Sequence, residues 1–383
     1  MRSIISRAFS RTITSDAWRT SQRALRGIPR RIGGNGPIVH YFHEDEDPYS
    51  RLLAAALPSI IDRYRIDLHC HRVTAPDTAA APDKLRLRDW AERDAARLAR
   101  HFAIRASDSL PSSLHFSALA PAHGANLRRK LGHYQSATLY FEGEWYWGID
   151  RLHYLEKRLQ QAGLDRDPGR ELLIAPPALR LSTRPSTAGK LTLDFFCSLR
   201  SPYTYLAAER ARHLADHYQL ELRLRYLLPM VMRGLPVPFA KRKYILLDSK
   251  READRLEMPF GDVADPVGSP VENGLAILHA AISLGSGSAF LEAFLRGVFA
   301  EGRDAGRRTT LQSFAAQAGL DAQMVESALE NVEWRTIAAL NREQLLDQGL
   351  WGVPSFQLSG HQAVWGQDRL WMIEQDLLGE TNK

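Results

Sequence analysis

Three short segments hold the residues best suited to chemistry. In Ser201-Pro202-Tyr203, proline suits the first helical position and serine is a favoured N-cap. The Ser201 hydroxyl then sits at the positive end of a helix, among N–H groups without helical partners. Such a place stabilises a carboxylate, a phosphate or a thiolate; a plain helix cap accounts for the same tripeptide. Gly352-Val353-Pro354-Ser355-Phe356 ends a helix and opens a strand, where proline is ordinary. Trp365-Gly366-Gln367-Asp368-Arg369-Leu370 leads into the last helix. A ligand carrying an amine and a carboxylate could pair there with Asp368 and with exposed N–H groups, although capping again explains the residues.

The elements that position these segments come in two sets. Residues 38–73 and 191–227 each read as an apolar strand, a polar turn ending in X-Pro-Tyr, an amphipathic helix and a second strand. Residues 137–159 and 354–377 each read as a hairpin, a Trp-Gly turn and a final helix. The second copy is 64 residues longer between its Pro-Tyr and Trp-Gly landmarks, and the extra length reads as helices. Strand–helix–strand, a helical block, then hairpin and helix is a thioredoxin-like plan. The expected fold is therefore α/β with tandem thioredoxin-like domains, the first degenerate and shortened. Boundaries fall at 1–34 (a basic leader), 35–163 (the first domain), 164–190 (a Pro-rich linker) and 191–378 (the second domain).

Composition narrows the function. The chain has 383 residues, 44% hydrophobic and 25% charged, with a net charge of +6. Residues 1–34 carry +7 and the rest −1, so a nucleic-acid partner is not expected. No run of about 18 apolar residues marks a transmembrane helix. The leader reads as disordered tail, transit peptide or surface-binding basic helix. Location is accordingly cytoplasmic, or an organelle matrix if residues 1–34 are a transit peptide. The leader is expected to pack little against the body. Two cysteines, Cys70 and Cys197, stand far apart with no C-x-x-C. That excludes a thiol–disulfide motif and a Cys-based zinc site, and no metal ligand set is expected. Cys197 suits a buried apolar filler.

Asp194 to Ala207 (D-F…S-P-Y-x-Y-L-A), Ala300 to Asp304 (A-E-G-R-D) and Gly352 to Leu370 (G-V-P-S-F…W-G-Q-D-R-L) together resemble the 2-hydroxychromene-2-carboxylate isomerase family. That family belongs to the DsbA-like branch that includes kappa-class glutathione transferases. The resemblance spans 191–378. It implies a glutathione-dependent isomerase acting on a small conjugated aromatic acid. Ser201 would be the catalytic residue at the glutathione sulfur. Val353, before a cis-Pro354, would pair its backbone with the tripeptide, and Gly366, Gln367, Asp368 and Arg369 would hold the γ-glutamyl end. A thiolate from glutathione fits the missing C-x-x-C. The sequence departs from the family at Ser198, where Asp is frequent, and at Arg200, where an apolar residue is common. Arg200, Lys241, Arg242 and Tyr244, with Arg233 and Lys243 nearby, are the candidates for holding the acid; an exposed helix face explains the 241–244 run as well. The alternatives are a kappa-like transferase on other electrophiles and a non-catalytic binding protein, and a homodimer is left open. The first copy is not expected to bind glutathione. Asp47 stands where Ser201 stands and Ala137 where Pro354 stands, so the Ser136–Ala137 bond should be trans.

Overall fold

The computed structural model describes residues 2–28, 36–105, 109–182 and 191–379. The chain divides into two units. One comprises Asp16–Pro176 with Val237–Tyr244; the other comprises Met1–Ser15, Pro177–Pro236 and Ile245–Lys383.

The N-terminal unit contains α2 (Asp16–Arg26), following α1 (Arg2–Thr14) of the other unit, then β1 (Ile38–His43), α3 (Pro48–Arg63), β2 (Asp67–Arg72), α4 (Lys84–His101), α5 (Pro121–Leu131), β3 (Thr138–Phe141), β4 (Glu144–Trp147) and α6 (Leu152–Gln161). Its sheet runs β2-β1-β3-β4, with β1 parallel to β2 and antiparallel to β3. Asp47 caps α3 by accepting from the Tyr49 N–H at 3.2 Å, and Pro48 follows at the first helical position. Leu53, Leu57 and Ile60 repeat at helical spacing and are fully buried.

The C-terminal unit follows the same order with a longer helical block. Its elements are β5 (Thr192–Cys197), α7 (Pro202–Tyr218), β6 (Glu221–Tyr226), α8 (Phe239–Arg255, whose first residues belong to the other unit), α9 (Ser269–Ser283), α10 (Gly287–Phe299), α11 (Arg308–Gln317), α12 (Ala322–Glu330), α13 (Glu333–Asp347), β7 (Ser355–Leu358), β8 (Val364–Trp365) and α14 (Leu370–Leu377). The sheet order β6-β5-β7-β8 has the same parallel and antiparallel pairing as the first sheet. The block α9 to α12 buries Leu275, Leu278, Phe290, Phe294 and Phe314, which is why the extra length is helical.

Two buried polar arrangements occur in both units. Glu156 of α6 accepts from Tyr64 Oη at 3.0 Å and from the Leu173 and Ile174 N–H groups at 2.9 and 3.0 Å. Glu374 of α14 accepts from Tyr218 Oη at 2.8 Å and from the Arg180 and Leu181 N–H groups at 2.8 and 2.6 Å. Tyr49 Oη donates to Asp94 of α4 at 2.8 Å, as Tyr203 Oη does to Asp248 of α8 at 2.8 Å. The described part of the 164–190 segment is thus tied down on both sides of Pro177, because each buried carboxylate recruits N–H groups from it. Residues 183–190 lie outside the described residues.

The leader departs from expectation. Residues 2–14 and 16–26 are helical, and α1 is fastened to the C-terminal unit. Ser6 Oγ donates to the Val263 carbonyl at 3.0 Å, and the Val263 N–H donates to Ser10 Oγ at 3.0 Å. Arg7 makes a two-pronged pair with Asp262 at 2.9 and 3.0 Å. Within the N-terminal unit, Arg23 of α2 pairs with Glu144. Composition failed here because the hydroxyls of Ser6 and Ser10 and the Arg7 guanidinium find partners at 262–263. Residues 29–34 of the leader lie outside the described residues. Removing residues 2–15 is expected to lower stability by about 2 kcal/mol, a fall of about 6 °C in Tm. Scanning calorimetry checks this; an unchanged Tm restores the dispensable tail.

Candidate functional site

The site begins at the carboxyl end of β5. That strand is buried through Phe195, Phe196 and Cys197, so the chain leaves the sheet at Ser198 and turns directly into α7. The Ser201 N–H bonds back to the Ser198 carbonyl at 3.1 Å. Ser201 takes an extended backbone (φ −102°, ψ 113°), and its Oγ accepts from the Thr204 N–H at 3.1 Å. The same Oγ donates to the Val353 carbonyl at 3.4 Å. Ser201 and Val353 are both half-buried, so the hydroxyl and the residue before Pro354 meet near the surface. The Val353–Pro354 bond is cis, and among the described residues it alone is.

The third segment closes onto this loop. The Gly366 N–H donates to the Pro354 carbonyl at 3.0 Å. Gly366 sits at φ 129°, and a Cβ there would meet Asp368 Oδ1 at 2.5 Å, so glycine is required. Gln367 is buried and turned inward. Its Oε1 and carbonyl accept from Arg210 at 2.8 and 2.9 Å, and its Nε2 donates to Glu252 at 2.7 Å. Arg255 completes the network on Glu252 at 2.8 Å. Burial pulls the Arg210 guanidinium down to about 10. The Gln367 side chain is thus consumed in holding the turn. Arg369 is also buried and lies 3.3 Å from Asp368 Oδ1, which leaves Asp368 as the partly exposed charge of the segment.

Arg200 is engaged rather than open. Its guanidinium pairs with both oxygens of Asp265 at 2.6 Å, so its charge is already answered next to Ser201. Asp265 lies two residues from Val263, which α1 holds through Ser6 and Ser10. Lys241, Arg242 and Tyr244 belong to the segment Val237–Tyr244 of the N-terminal unit. Lys241 Nζ donates to the Ala80 carbonyl at 2.7 Å, and burial lowers it to about 8. Tyr244 packs 4.7 Å from His133, ring centre to ring centre. These three residues fold with the N-terminal unit. The 241–244 run looked like an exposed basic face, but its first and last members are buried in the other unit.

One further residue joins the site. Arg233 ends a short 3-10 turn after β6 and donates to the Trp351 carbonyl at 3.4 Å, two residues before Val353. Among the described residues no carboxylate pairs with Arg233, and its Nε is buried without a hydrogen-bond partner. Burial, reinforced by Arg342, depresses its pKa. A guanidinium kept here without a counter-charge is suited to an anion. The Trp351 ring stands edge to face with Trp365 at 5.0 Å. Arg210, Glu252 and Asp265 carry no motif; only their packing partners reveal them.

Neither cysteine can serve as nucleophile. Cys70 and Cys197 are buried and free, and burial pushes Cys70 up to about 12 and Cys197 higher still. In the N-terminal unit the matching position holds Asp47, whose Oδ2 accepts from Ser136 Oγ at 2.9 Å and Ser50 Oγ at 2.9 Å. Burial raises its pKa. No helix among the described residues is long and apolar enough to cross a membrane.

A β5–α7–β6 unit, a helical insertion and a terminal hairpin with helix, with the helix start facing a proline loop, define the class: residues 192–378 form a DsbA-like thioredoxin domain, matching the family model of that description. The 2-hydroxychromene-2-carboxylate isomerase of Pseudomonas sp. (strain C18) is 25% identical over 202 residues, covering 49% of this chain and 90% of that protein. A solved 2-hydroxychromene-2-carboxylate isomerase is 21% identical, with a TM-score of 0.41 over 50% of this chain and 97% of its own. The cytosolic disulfide reductase DsbM from Pseudomonas aeruginosa, solved with GSH, is 23% identical, with a TM-score of 0.38 over 49% and 99%. These relatives are an isomerase and a disulfide reductase.

Proposed function

We propose that the C-terminal unit is a glutathione-dependent isomerase of the 2-hydroxychromene-2-carboxylate type. The observation that carries this reading is a helix-capping hydroxyl, Ser201, in the place where a thioredoxin-fold enzyme needs sulfur chemistry, in a chain whose own two thiols are buried and inert. The sulfur must then come from a bound molecule. The residues present fit a γ-glutamyl tripeptide: a half-buried backbone at Val353, a fixed turn at Gly366 and Gln367, and the partly exposed carboxylate of Asp368. When bound, glutathione supplies a thiolate that adds reversibly to a conjugated double bond, so that the bond rotates and the thiolate leaves. Ser201 Oγ, turning its proton from the Val353 carbonyl to the ligand, and the N–H groups opening α7 stabilise the anionic sulfur. Asp368 receives the ligand's amine. Arg233 binds the carboxylate of the aromatic acid, with Trp351 and Trp365 beside it. The buried network of Arg210, Glu252 and Gln367 keeps the turn rigid.

The two similar sheets support a tandem of thioredoxin-like units in which only the second keeps the glutathione site. Calorimetric titration of the full chain should then give one glutathione per chain, followed by turnover of a 2-hydroxychromene-2-carboxylate. Two equivalents would show that the Asp47 site binds as well. No binding at all sinks the reading, and conjugation without isomerisation moves it to a transferase.

A further inference from the structure

We propose that the N-terminal unit carries a divalent transition-metal site built from His40, His69 and His71. The expectation of no metal was drawn from the cysteines; these histidines come together only in the sheet. β1 and β2 are parallel, and His40 is the direct partner of His69. Strand alternation puts His71 on the same face as His69. This is a His-x-His strand beside a third histidine on its neighbour, a His₃ set of the type that holds catalytic zinc.

The three rings are near neighbours. The His40 and His71 rings are 5.3 Å apart between centroids, and His40 and His69 are 5.6 Å apart. His40 Nδ1 lies 3.0 Å from His71 Nε2. Two nitrogens bound tetrahedrally to zinc at about 2.0 Å stand about 3.3 Å apart, so this pair needs only a small spread. As the rings stand, no three ligands among the described residues close around one ion. His40 and His71 bond each other, which fills the centre, and a metal replaces that bond after short ring rotations. His69 is half exposed and is held from outside by Asp67 Oδ2, 2.9 Å from its Nε2. That leaves Nδ1 for the ion and makes Asp67 the carboxylate that orients a ligating histidine.

A second observation points to the same spot. A Cβ on Gly124 would lie 2.2 Å from the Arg72 carbonyl oxygen and 3.2 Å from His71 Cβ. Glycine alone lets α5 come this near to β2, and the approach brings the exposed His123 within electrostatic reach of His71. The proposal gives the N-terminal unit a role independent of the Ser201 site.

The test uses the full chain, stripped with a chelator and titrated with Co²⁺ and then Zn²⁺. One equivalent of Co²⁺ should bind with the visible absorption of a nitrogen-ligated ion, and Zn²⁺ should displace it. His40→Gln and His71→Gln should each weaken binding at least tenfold, whereas His361→Gln in the other unit and Ser201→Ala should leave it unchanged. Melting curves in chelator verify that the variants fold. If one does not, Cu²⁺ resonance spectra of the unsubstituted chain count the bound ring nitrogens instead. No saturable uptake at micromolar metal, equal binding by the His40 and His71 variants, or an oxygen-ligated spectrum overturns the proposal.

Discussion

Ser201→Ala is expected to lower glutathione-dependent kcat by about 10²-fold while costing about 1 kcal/mol of stability. The two effects come from different partners of one hydroxyl. Stability falls because the Thr204 N–H loses the Oγ it donates to at 3.1 Å. Turnover falls because a methyl group cannot donate to a thiolate. The bound thiol should then ionise at higher pH, so the acid limb of the pH–rate profile should move up. A merely structural role would lower activity in step with the folded fraction and leave that limb in place. Unchanged kcat in a folded variant sinks the catalytic assignment of Ser201.

Arg233→Met should raise KM for an aromatic acid by about 10- to 100-fold, the loss of a charge-assisted hydrogen bond worth about 1.5–3 kcal/mol. Glutathione affinity should stay within about twofold, because Arg233 reaches the Trp351 carbonyl and not the Gly366–Asp368 turn. Stability should hold or rise. Among the described residues Arg233 has no carboxylate partner, and replacing an uncompensated half-buried charge with an apolar chain of similar length removes part of a desolvation cost. Arg233→Lys should retain part of the affinity. Steady-state kinetics with an acidic substrate and with its neutral ester separate the cases. An equal KM change for acid and ester would mean that Arg233 shapes the pocket without reading the carboxylate.

Much of the C-terminal unit was legible because local rules and tertiary structure agree there. Ser201 caps α7 as a Ser-Pro pair should, and β5, α7 and β6 follow their apolar periods. The substrate side was less legible. Lys241 and Arg242 begin a helix whose first residues fold with the other unit, and a basic run does not disclose which core will cover it. The leader misled for a related reason. Low apolar content argued for a free tail, but Ser6, Ser10 and Arg7 find backbone groups and a carboxylate at 262–263, which no composition reveals.

By itself the sequence determined the two sets of elements, the helix start at Ser201, the want of a cysteine pair and the helical character of the inserted block. These follow from periodicity and from residue types acting over a few positions. Tertiary structure alone decided which charges are spoken for. Arg200 is answered by Asp265, Gln367 by Arg210 and Glu252, and Arg233 by no carboxylate among the described residues. It also decided that His40 meets His69 and His71. The reason is physical: a charge or a ring nitrogen acts through the groups within a few ångströms of it, and strand register and helix packing choose those groups from far along the chain.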